Sequence, residues 1–202
     1  AIKDSTHIII TLGTSFVYKH LASGQLVANC HKVPQHEFEK QLTSVENIQH
    51  TLSRLIKLCR EVNSEVNFIF TVSPVRHIKD GIVDNQRSKA HLLAALHEVM
   101  EQELNSTYFP SYELMMDEFR DYRFYDRDLI HPNELAVDLI WEKFKLNFIS
   151  EGIYPDMIKV EKLQKSLAHR QSESQGEAFE KLKAYQYKFK KVLTKKYPFM
   201  TF

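Results

Sequence analysis

The stretch His7-Ile-Ile-Ile-Thr-Leu-Gly13 decides the fold class, because it is an almost uninterrupted apolar run that ends at a glycine. A strand with one face in water alternates apolar and polar residues, whereas a strand buried on both faces does not. Strands of the second kind belong to parallel sheets and usually have a neighbour on each side. We therefore expect this segment to be an inner strand of a parallel sheet.

The segments that follow alternate between helical and extended patterns. Thr43-Ser-Val-Glu46 has the form of a capping box and precedes apolar residues at helical spacing. Residues 25–34 have an irregular or hairpin-like pattern, and residues 66–72 read as a second buried strand. Three more elements are predicted in order: a helix capped by Ser88 that runs to about Leu104, a short strand over 108–115, and a helix that begins at Pro132.

This order of elements predicts an α/β fold with a three-layer parallel sheet and right-handed crossovers. Only three strands are evident, where sheets usually have about five or six. The small number and the abrupt start predict that N-terminal strands of the domain are missing from this chain. Residues 1–153 form the predicted domain. Two amphipathic helices, at about 157–170 and 175–196 and separated by the polar residues 171–176, form a C-terminal extension over residues 154–202.

Composition excludes several classes of protein. The 202 residues are 43% hydrophobic and 26% charged, which is typical of a globular domain. No apolar run approaches the roughly 20 residues of a membrane span. The sequence shows no signal peptide, and the two cysteines cannot form a disulfide framework. Both features favour a cytoplasmic location.

Charge is spread unevenly along the chain. Residues 160–202 contain ten Lys and Arg against four Asp and Glu, although the net charge of the whole chain is +1. We interpret this basic excess as the solvated face of a helix, with contact to an anionic partner as the alternative. The sequence has no phosphate-binding loop and no zinc finger or other nucleic-acid motif. We therefore expect no cofactor and no nucleic-acid partner.

Three polar segments follow the predicted strands, and they are the candidates for chemistry. Ligands of open parallel sheets bind at the carboxyl ends of the strands, so we expect these segments to converge there. The segments are Gly13-Thr-Ser-Phe-Val-Tyr18, Ser73-Pro-Val-Arg-His77 and the loop 122–132.

The last of these segments contains Asp128 and His131, three residues apart and just before a helix. At this spacing the carboxylate can accept a hydrogen bond from Nδ1 of the imidazole, which leaves Nε2 free to act as a base. A helix-capping aspartate beside a surface histidine is the alternative. The position after the third strand favours the catalytic interpretation.

Other candidate site residues have less specific signals. Ser15 can be a nucleophile, a contributor to an oxyanion hole together with Gly13 and Thr14, or a serine that caps the next helix. Arg76 and His77 can bind an anionic group of a substrate, or they can pair with Asp80 or Asp84 at the surface.

Metal binding is not predicted. Cys30, His31 and His36 match no zinc spacing. The acidic run over residues 117–128 is interpreted as solvated charges paired with neighbouring arginines. Asn29 and His31 remain candidates for substrate or oxyanion contacts.

Six motifs follow one another between about residues 7 and 145. The motifs are Ile8-Ile-Ile-Thr-Leu-Gly-Thr-Ser-Phe-Val-Tyr18, Val27-Ala-Asn-Cys-His-Lys-Val-Pro34, Phe70-Thr-Val-Ser-Pro-Val-Arg-His77 with Asp80-Gly81, Ser88-Lys-Ala90, Tyr108-Phe-Pro-Ser-Tyr-Glu113, and Asp121-Tyr-Arg-Phe-Tyr125 leading to His131-Pro132. In this order they resemble the GSCFA family. Six motifs in this order are far more specific than any single one, and the resemblance continues through Ala168-His-Arg170.

This resemblance implies a relation to the SGNH/GDSL hydrolases, which have a flavodoxin-like sheet and a Ser-His-Asp apparatus in ordered sequence blocks. Asp128 and His131 match the last block, Asp-x-x-His. Gly13-Thr-Ser15 is similar to the first block, which holds the nucleophile, and also to the third, Gly-x-Asn-Asp. We favour the third. The chain then covers the C-terminal two-thirds of the domain, because the Gly-Ser-Cys-Phe-Ala motif lies upstream in the family and is absent here. Asn29 is a candidate for the missing oxyanion amide.

The resemblance implies hydrolysis of an acyl or acetyl ester of a small molecule or carbohydrate. His131 acts as the base and Asp128 orients it, with a serine as the nucleophile. The alternative is a noncatalytic ligand-binding or assembly domain on the same scaffold. An uncovered edge at residues 8–12 would be covered in a homodimer, or by a separate N-terminal segment.

Overall fold

The computed structural model of this chain describes residues 2–168 and 177–202. The polar stretch 171–176, predicted to separate two helices, lies outside the described residues, as do His169 and Arg170 of the last matching motif. Contacts divide the chain into two compact units, Ala1–Trp141 and Glu142–Phe202. The domain boundary expected at residue 153 stays a prediction.

The described residues form six strands and six helices. The strands are β1 (His7–Leu12), β2 (Phe16–His20), β3 (Leu26–Val27), β4 (Phe38–Leu42), β5 (Asn67–Val72) and β6 (Ser106–Tyr108). The helices are α1 (Val45–Val62), α2 (Ile82–Gln102), α3 (Ser111–Glu113), α4 (Glu134–Phe148), α5 (Tyr154–Ala168) and α6 (Glu177–Lys196).

The predicted parallel sheet is confirmed, with the strand order β1-β5-β6 and both pairs parallel. Five of the six residues of β5 are buried, as expected for an inner strand. By contrast β1 is an edge strand among the described residues, and exposed and half-buried residues alternate along it. Ile9 is 55% exposed, whereas Ile69, its register partner in β5, is 4% exposed. The α/β class is therefore confirmed, and the flavodoxin-like three-layer arrangement stays a prediction.

The main core lies on one face of this sheet, where both α1 and α2 pack. Side chains of β5 point into it at every second position, and half-buried residues of β1 join them in the same alternation. Alternate residues of the strands therefore pack against residues of α1 and α2 that recur at helical spacing. The buried members of the core are Ile48, Leu52, Ile56, Val66, Phe68, Phe70, Val72, Leu92, Ala95, Leu96, Val99 and Tyr112.

Helix α1 begins one residue later than a cap at Thr43 would place it. Ser44 is the N-cap, and its hydroxyl accepts a hydrogen bond of 3.3 Å from the backbone N–H of Asn47. A serine or threonine at either position suits a cap, so the sequence leaves the choice to local geometry.

The prediction of Ser88 as a helix cap is wrong. Helix α2 begins at Ile82, directly after Gly81, whose φ of 83° suits glycine. Ser88 lies nearly two turns inside the helix and is buried. Its side chain bonds to the turn after β1, a contact that the local sequence does not show.

The predicted range of the third parallel strand, 108–115, is wrong, because β6 (Ser106–Tyr108) ends at the first residue of that range. The N–H of Phe109 donates the last hydrogen bond between this segment and β5, to the carbonyl of Phe70. Pro110 has no N–H, so it cannot extend the pairing with β5. The chain then enters α3 and a π turn over Leu114–Glu118. The apolar residues after Pro110 are therefore helical, although their pattern is equally typical of a strand.

A second, antiparallel sheet of order β3-β2-β4 lies between β1 and α1 in sequence. Only a hairpin-like region over residues 25–34 is predicted there. All five residues of β2 are half-buried, so the strand has no alternation from which to predict it. The ammonium of Lys40 lies 4.5 Å from the centroid of the Phe16 ring and 5.7 Å from that of Tyr18.

The second unit contains the end of α4 together with α5 and α6, which contact each other. Both predicted C-terminal helices are thus present, and the first starts about one turn earlier than predicted. Leu163 and Leu193 are fully buried. None of the helices in the described residues is both long enough and apolar enough to span a bilayer.

Candidate active site

The three polar segments that follow the parallel strands are joined to one another by contacts. The buried ammonium of Lys89 donates to the carbonyl of Gly13 at 2.6 Å and to the carbonyl of Ser73 at 2.7 Å. A Cβ atom placed on Gly13 would lie 3.9 Å from Nε2 of His77. Arg76 donates from Nη2 to the carbonyl of Leu129. The carboxyl ends of β1 and β5 and the Asp128–His131 loop therefore share one edge of the sheet.

Asp128 and His131 form a bonded pair at this edge. Nδ1 of His131 lies 2.6 Å from Oδ2 of Asp128. The other carboxylate oxygen accepts the backbone N–H groups of Ile130 at 2.9 Å and of His131 at 3.0 Å. The His131 side chain is 57% exposed, so its ring can be reached from solvent. Such a bond favours the Nδ1–H tautomer, which leaves Nε2 as a proton acceptor.

These bonds hold the pKa of Asp128 at about 2. The backbone N–H of His131 contributes most, its imidazole comes second and the N–H of Ile130 third, while partial desolvation opposes them. The carboxylate is therefore ionised at any pH near neutrality. A permanent negative charge next to Nδ1 stabilises the imidazolium that forms when Nε2 accepts a proton.

The loop that carries the pair is fixed by its own backbone. The N–H of Asp126 donates to the carbonyl of His131 at 2.8 Å, and Tyr125 and Pro132 form an isolated antiparallel bridge. The side-chain amide of Asn133 donates to the carbonyls of Arg123 and Tyr125. Its oxygen accepts the N–H of Ala136 at 3.1 Å and thereby caps α4. The start of α4 thus anchors the loop.

Ser15 lies in the turn after β1, where Ser88 holds it. The residue is 3% exposed. Its backbone N–H donates to Oγ of Ser88 at 2.8 Å, and its hydroxyl donates to the carbonyl and Oγ of Ser88 at 3.2 and 3.1 Å. The hydroxyl of Thr14 also lies 2.9 Å from Oγ of Ser88. Both polar groups of Ser15 therefore have partners inside the fold.

Lys89 is a buried ammonium held by carbonyl groups. The residue is 1% exposed, and its Nζ lies 5.7 Å from the centroid of the Tyr112 ring. Burial lowers the pKa of Lys89 to about 8. The ammonium ties the ends of β1 and β5 together.

Arg76 and His77 follow β5 and contact different elements, Arg76 the loop with Asp128 and His131, and His77 the helix α2. The guanidinium carbon of Arg76 lies 4.7 Å from the centroid of the Tyr125 ring. The backbone N–H of His77 donates to Oδ1 of buried Asn85 at 2.8 Å. Asp84, one of the expected surface partners, pairs instead with Arg87 at 2.8 Å.

Asn29 and His31 belong to the loop between β3 and β4. Both are exposed, and the oxygen of Asn29 accepts the backbone N–H of His31 at 2.8 Å. Within the described part of the chain, no hydrogen bond joins either residue to Gly13, Ser15 or His131. Their role in a substrate or oxyanion site stays a prediction.

Outside this edge of the sheet, the described residues form a groove but no cluster suited to a metal ion. A groove of about 830 Å³ lies mainly along α1 and shares no lining residue with the Asp128–His131 site. Across residues 2–168 and 177–202, no three His, Cys, Asp or Glu side chains gather closely enough to hold a metal ion.

Sequence reasoning missed the contribution of α2 to this site. Asn85, Ser88 and Lys89 are buried polar residues, spaced three and four apart, that continue the buried stripe of Leu92 and Leu96 toward the start of the helix. Polar residues on the buried stripe of an amphipathic helix are a signal for such a role, because a buried polar group needs a partner.

The sequence profile of the GSCFA family matches residues 1–144. This chain belongs to the GSCFA family. The match covers both sheets and the loop with Asp128 and His131. No curated protein matches the chain in sequence. The family resemblance predicted from the motifs is therefore confirmed. The relation to SGNH hydrolases and the position of this chain in the C-terminal two-thirds of the domain stay predictions.

Proposed function

We propose that this GSCFA chain carries the acid–base pair of an ester hydrolase. The substrate class is an acyl or acetyl ester of a small molecule or carbohydrate. The observation that carries the proposal is the bond of 2.6 Å between Nδ1 of His131 and the ionised carboxylate of Asp128, with the imidazole open to solvent. This is the arrangement in which a histidine serves as a general base.

The proposed reaction proceeds in two acyl-transfer steps, first to the serine and then to water. A serine hydroxyl attacks the acyl carbonyl while Nε2 of His131 takes its proton, and the imidazolium then returns that proton to the leaving alcohol. Water attacks the acyl-enzyme in the same way, which releases the acid and regenerates the serine. Asp128 stays ionised throughout and keeps the ring oriented. The chemistry requires no cofactor.

The identity of the serine is the open part of the proposal. We place the nucleophile outside the 202 residues, because the hydroxyl of Ser15 is buried and donates to Ser88. The N–H of Ser15 is likewise bonded to Ser88, so we do not assign it to an oxyanion hole. The burial of the Ser15 hydroxyl argues against the first block, which holds the nucleophile, and so supports the interpretation of Gly13-Thr-Ser15 as the third sequence block.

A noncatalytic ligand-binding or assembly domain is the second candidate. The observation that favours it is that, in the described part of the chain, no serine hydroxyl is hydrogen-bonded to the ring of His131. Such a domain would use the same exposed pair for binding only. We also retain a homodimer and a cytoplasmic location as proposals, the first supported by the open edge of β1.

Fluorophosphonate labelling of the longest native polypeptide tests the proposal, read by intact mass and peptide mapping. We expect one adduct, on a serine outside these residues, and a labelling rate that falls at least tenfold in His131→Ala. An adduct on Ser15 would show that our block assignment is wrong. The absence of any adduct on folded protein would favour the noncatalytic domain.

Hydrolysis of short acyl p-nitrophenyl esters by the longest native polypeptide provides a second comparison. We expect Asp128→Asn to reduce turnover by orders of magnitude, because an amide neither orients nor stabilises the imidazolium in the same way. Asp126→Asn is the matched control, since Asp126 lies in the same loop but contacts His131 only through its backbone. Equal background rates in all three proteins would contradict a catalytic role.

A further inference from the structure

The turn between Asp128 and His131 contains a strained residue. Leu129 has a φ of 59°, in the left-handed region that branched side chains rarely adopt. This conformation lets two successive N–H groups, of Ile130 and His131, reach the same oxygen of Asp128. The strain thus accompanies the geometry of the pair, and surrounding contacts must maintain it.

Arg76 supplies such a contact from a different part of the sheet. Its Nη2 donates to the carbonyl of Leu129, and its guanidinium stacks on the ring of Tyr125, which is 9% exposed. Tyr125 in turn forms the bridge to Pro132, directly after His131. The guanidinium therefore contacts the loop at two points, at Tyr125 before the pair and at Leu129 between Asp128 and His131.

The contacts of the Arg76 guanidinium in the described residues are to the loop itself, at the carbonyl of Leu129 and the ring of Tyr125. Its Nε is buried without a hydrogen-bond partner. Among the described side chains, no carboxylate forms an ion pair with it. A planar guanidinium can bind a carbonyl and an aromatic face at the same time, which a lysine ammonium does less well.

We propose that Arg76 is a positioning residue for the Asp128–His131 pair, because its guanidinium holds the Leu129 turn and the Tyr125 ring in place. The residue acts through the loop and not on the substrate, in contrast to the anion-binding role predicted from the sequence. Its catalytic consequence rests on the proposed function, whereas its effect on the pair does not.

Nuclear magnetic resonance of Arg76→Met tests the inference without any substrate. In the unmodified protein we expect the neutral ring of His131 to carry its proton on Nδ1 and the Asp128 carboxyl to titrate near pH 2. In Arg76→Met we expect a mixture of ring tautomers and a titration midpoint shifted toward about 4, the ordinary value for aspartate. Unchanged tautomer and midpoint would overturn the proposal.

Arg123→Met is the matched control. Arg123 is an exposed arginine of the same loop and lies 5.0 Å from the Phe124 ring, and within the described residues its side chain forms no bond to the Leu129 turn. We expect this variant to leave both signals unchanged. An equal change in the two variants would mean that any lost arginine disturbs the loop.

Leu129→Gly provides a second test that does not depend on Arg76→Met alone. Glycine adopts a positive φ without strain, so the turn should need its anchor less. We expect the shift in the Asp128 titration midpoint caused by Arg76→Met to be at most about half as large in the Leu129→Gly background as in the unmodified background. An equal shift in both backgrounds would contradict a role in holding the turn. Arg76→Lys replaces Arg76→Met if the latter does not fold.

Kinetics separate this inference from the proposed function. If the protein hydrolyses esters, we expect Arg76→Met to lower kcat at least tenfold with little change in KM. A raised KM with an unchanged Asp128 midpoint would assign Arg76 to substrate binding. If the unmodified longest native polypeptide hydrolyses none of the esters, the proposed function fails, and the spectroscopic result still decides the role of Arg76.

Discussion

At the scale of single residues, Asp128 shows how backbone geometry sets an acidity. Two N–H groups of its own turn and one imidazole share its carboxylate. The largest contribution comes from the backbone N–H of His131, which any side chain at that position would retain. The electrostatics of the pair are therefore a property of the turn as much as of the histidine ring.

We expect the pKa of the Asp128 carboxyl to be about 2, and to remain well below about 4 in His131→Ala, because the backbone N–H groups persist. The stabilisation from this ionised group is complete above about pH 4 and is lost as the pH falls toward 2. Carbon-13 titration of the carboxyl measures both values. A midpoint that returns fully to the ordinary value in His131→Ala would show that the ring alone is responsible.

At the scale of elements, the turn after β1 depends on α2. Oγ of Ser88 accepts from the N–H of Ser15 and bonds to the hydroxyls of Ser15 and Thr14. Lys89 holds the carbonyl of Gly13 from the next position of the helix. Helix α2 therefore positions the carboxyl end of β1 as well as covering the sheet.

We expect Ser88→Ala to lower the free energy of unfolding by about 1–3 kcal/mol, because it leaves buried polar groups of Thr14 and Ser15 without their partner. Ser53→Ala is the control, since Ser53 is an exposed serine within α1 and its loss should be neutral or slightly stabilising. Urea denaturation of both variants measures the difference. Equal effects would mean that the bonds of Ser88 contribute no net stability.

The difference in burial between the paired strands β1 and β5 provides a second prediction at this scale. Ile9 and Ile69 are register partners, but only Ile69 is buried. We expect Ile69→Val to cost about 0.5–1.5 kcal/mol and Ile9→Val to change stability by less than about 0.5 kcal/mol. Chemical denaturation again provides the values. A similar cost at both positions would reveal that another surface covers Ile9 in solution.

At the scale of the whole molecule, each of the two units has its own stabilising contacts. In Glu142–Phe202, a buried carboxylate joins α5 to the end of α6. Asp156, which is 6% exposed, accepts from Lys159 and Tyr197 at 2.8 Å and also from Lys196. These three donors, led by Lys159, lower the pKa of Asp156 far below its usual range.

We therefore expect acid to loosen α5 and α6. A depressed carboxyl pKa stabilises the folded state above about pH 4, and this contribution disappears as the pH falls below that value. Hydrogen exchange of the whole chain, corrected for intrinsic rates, should show protection of both helices falling below pH 4. Asp156→Asn should reduce protection already at pH 7 and remove most of the acid effect.

Glu161→Gln is the matched control for this experiment. Glu161 also pairs with a lysine, Lys165, but both side chains are mostly exposed, and such pairs contribute little. We expect no measurable change in protection. An equal loss in Glu161→Gln and Asp156→Asn would indicate general charge balance and not the buried network.

The sequence by itself determined the α/β class, the strands β1 and β5, the presence of helices α1, α2, α4, α5 and α6, and the spacing of Asp128 and His131. These follow from apolar periodicity and from bonds between residues close together in the chain, which a local pattern contains. The family match follows from the order of motifs for the same reason. The sequence did not predict the extent of β6, because the apolar residues after Pro110 suit a strand and a helix equally.

Only the tertiary structure decided which residues hold the site together. Ser88 and Ser15 are 73 residues apart, Lys89 reaches Gly13 over 76, and Arg76 reaches Leu129 over 53. A polar side chain shows in its sequence that it needs a partner, but not where that partner lies. The packing of α2 against the sheet and the meeting of the loops after β5 and β6 supply the partners, because burial leaves each polar group no water to bind.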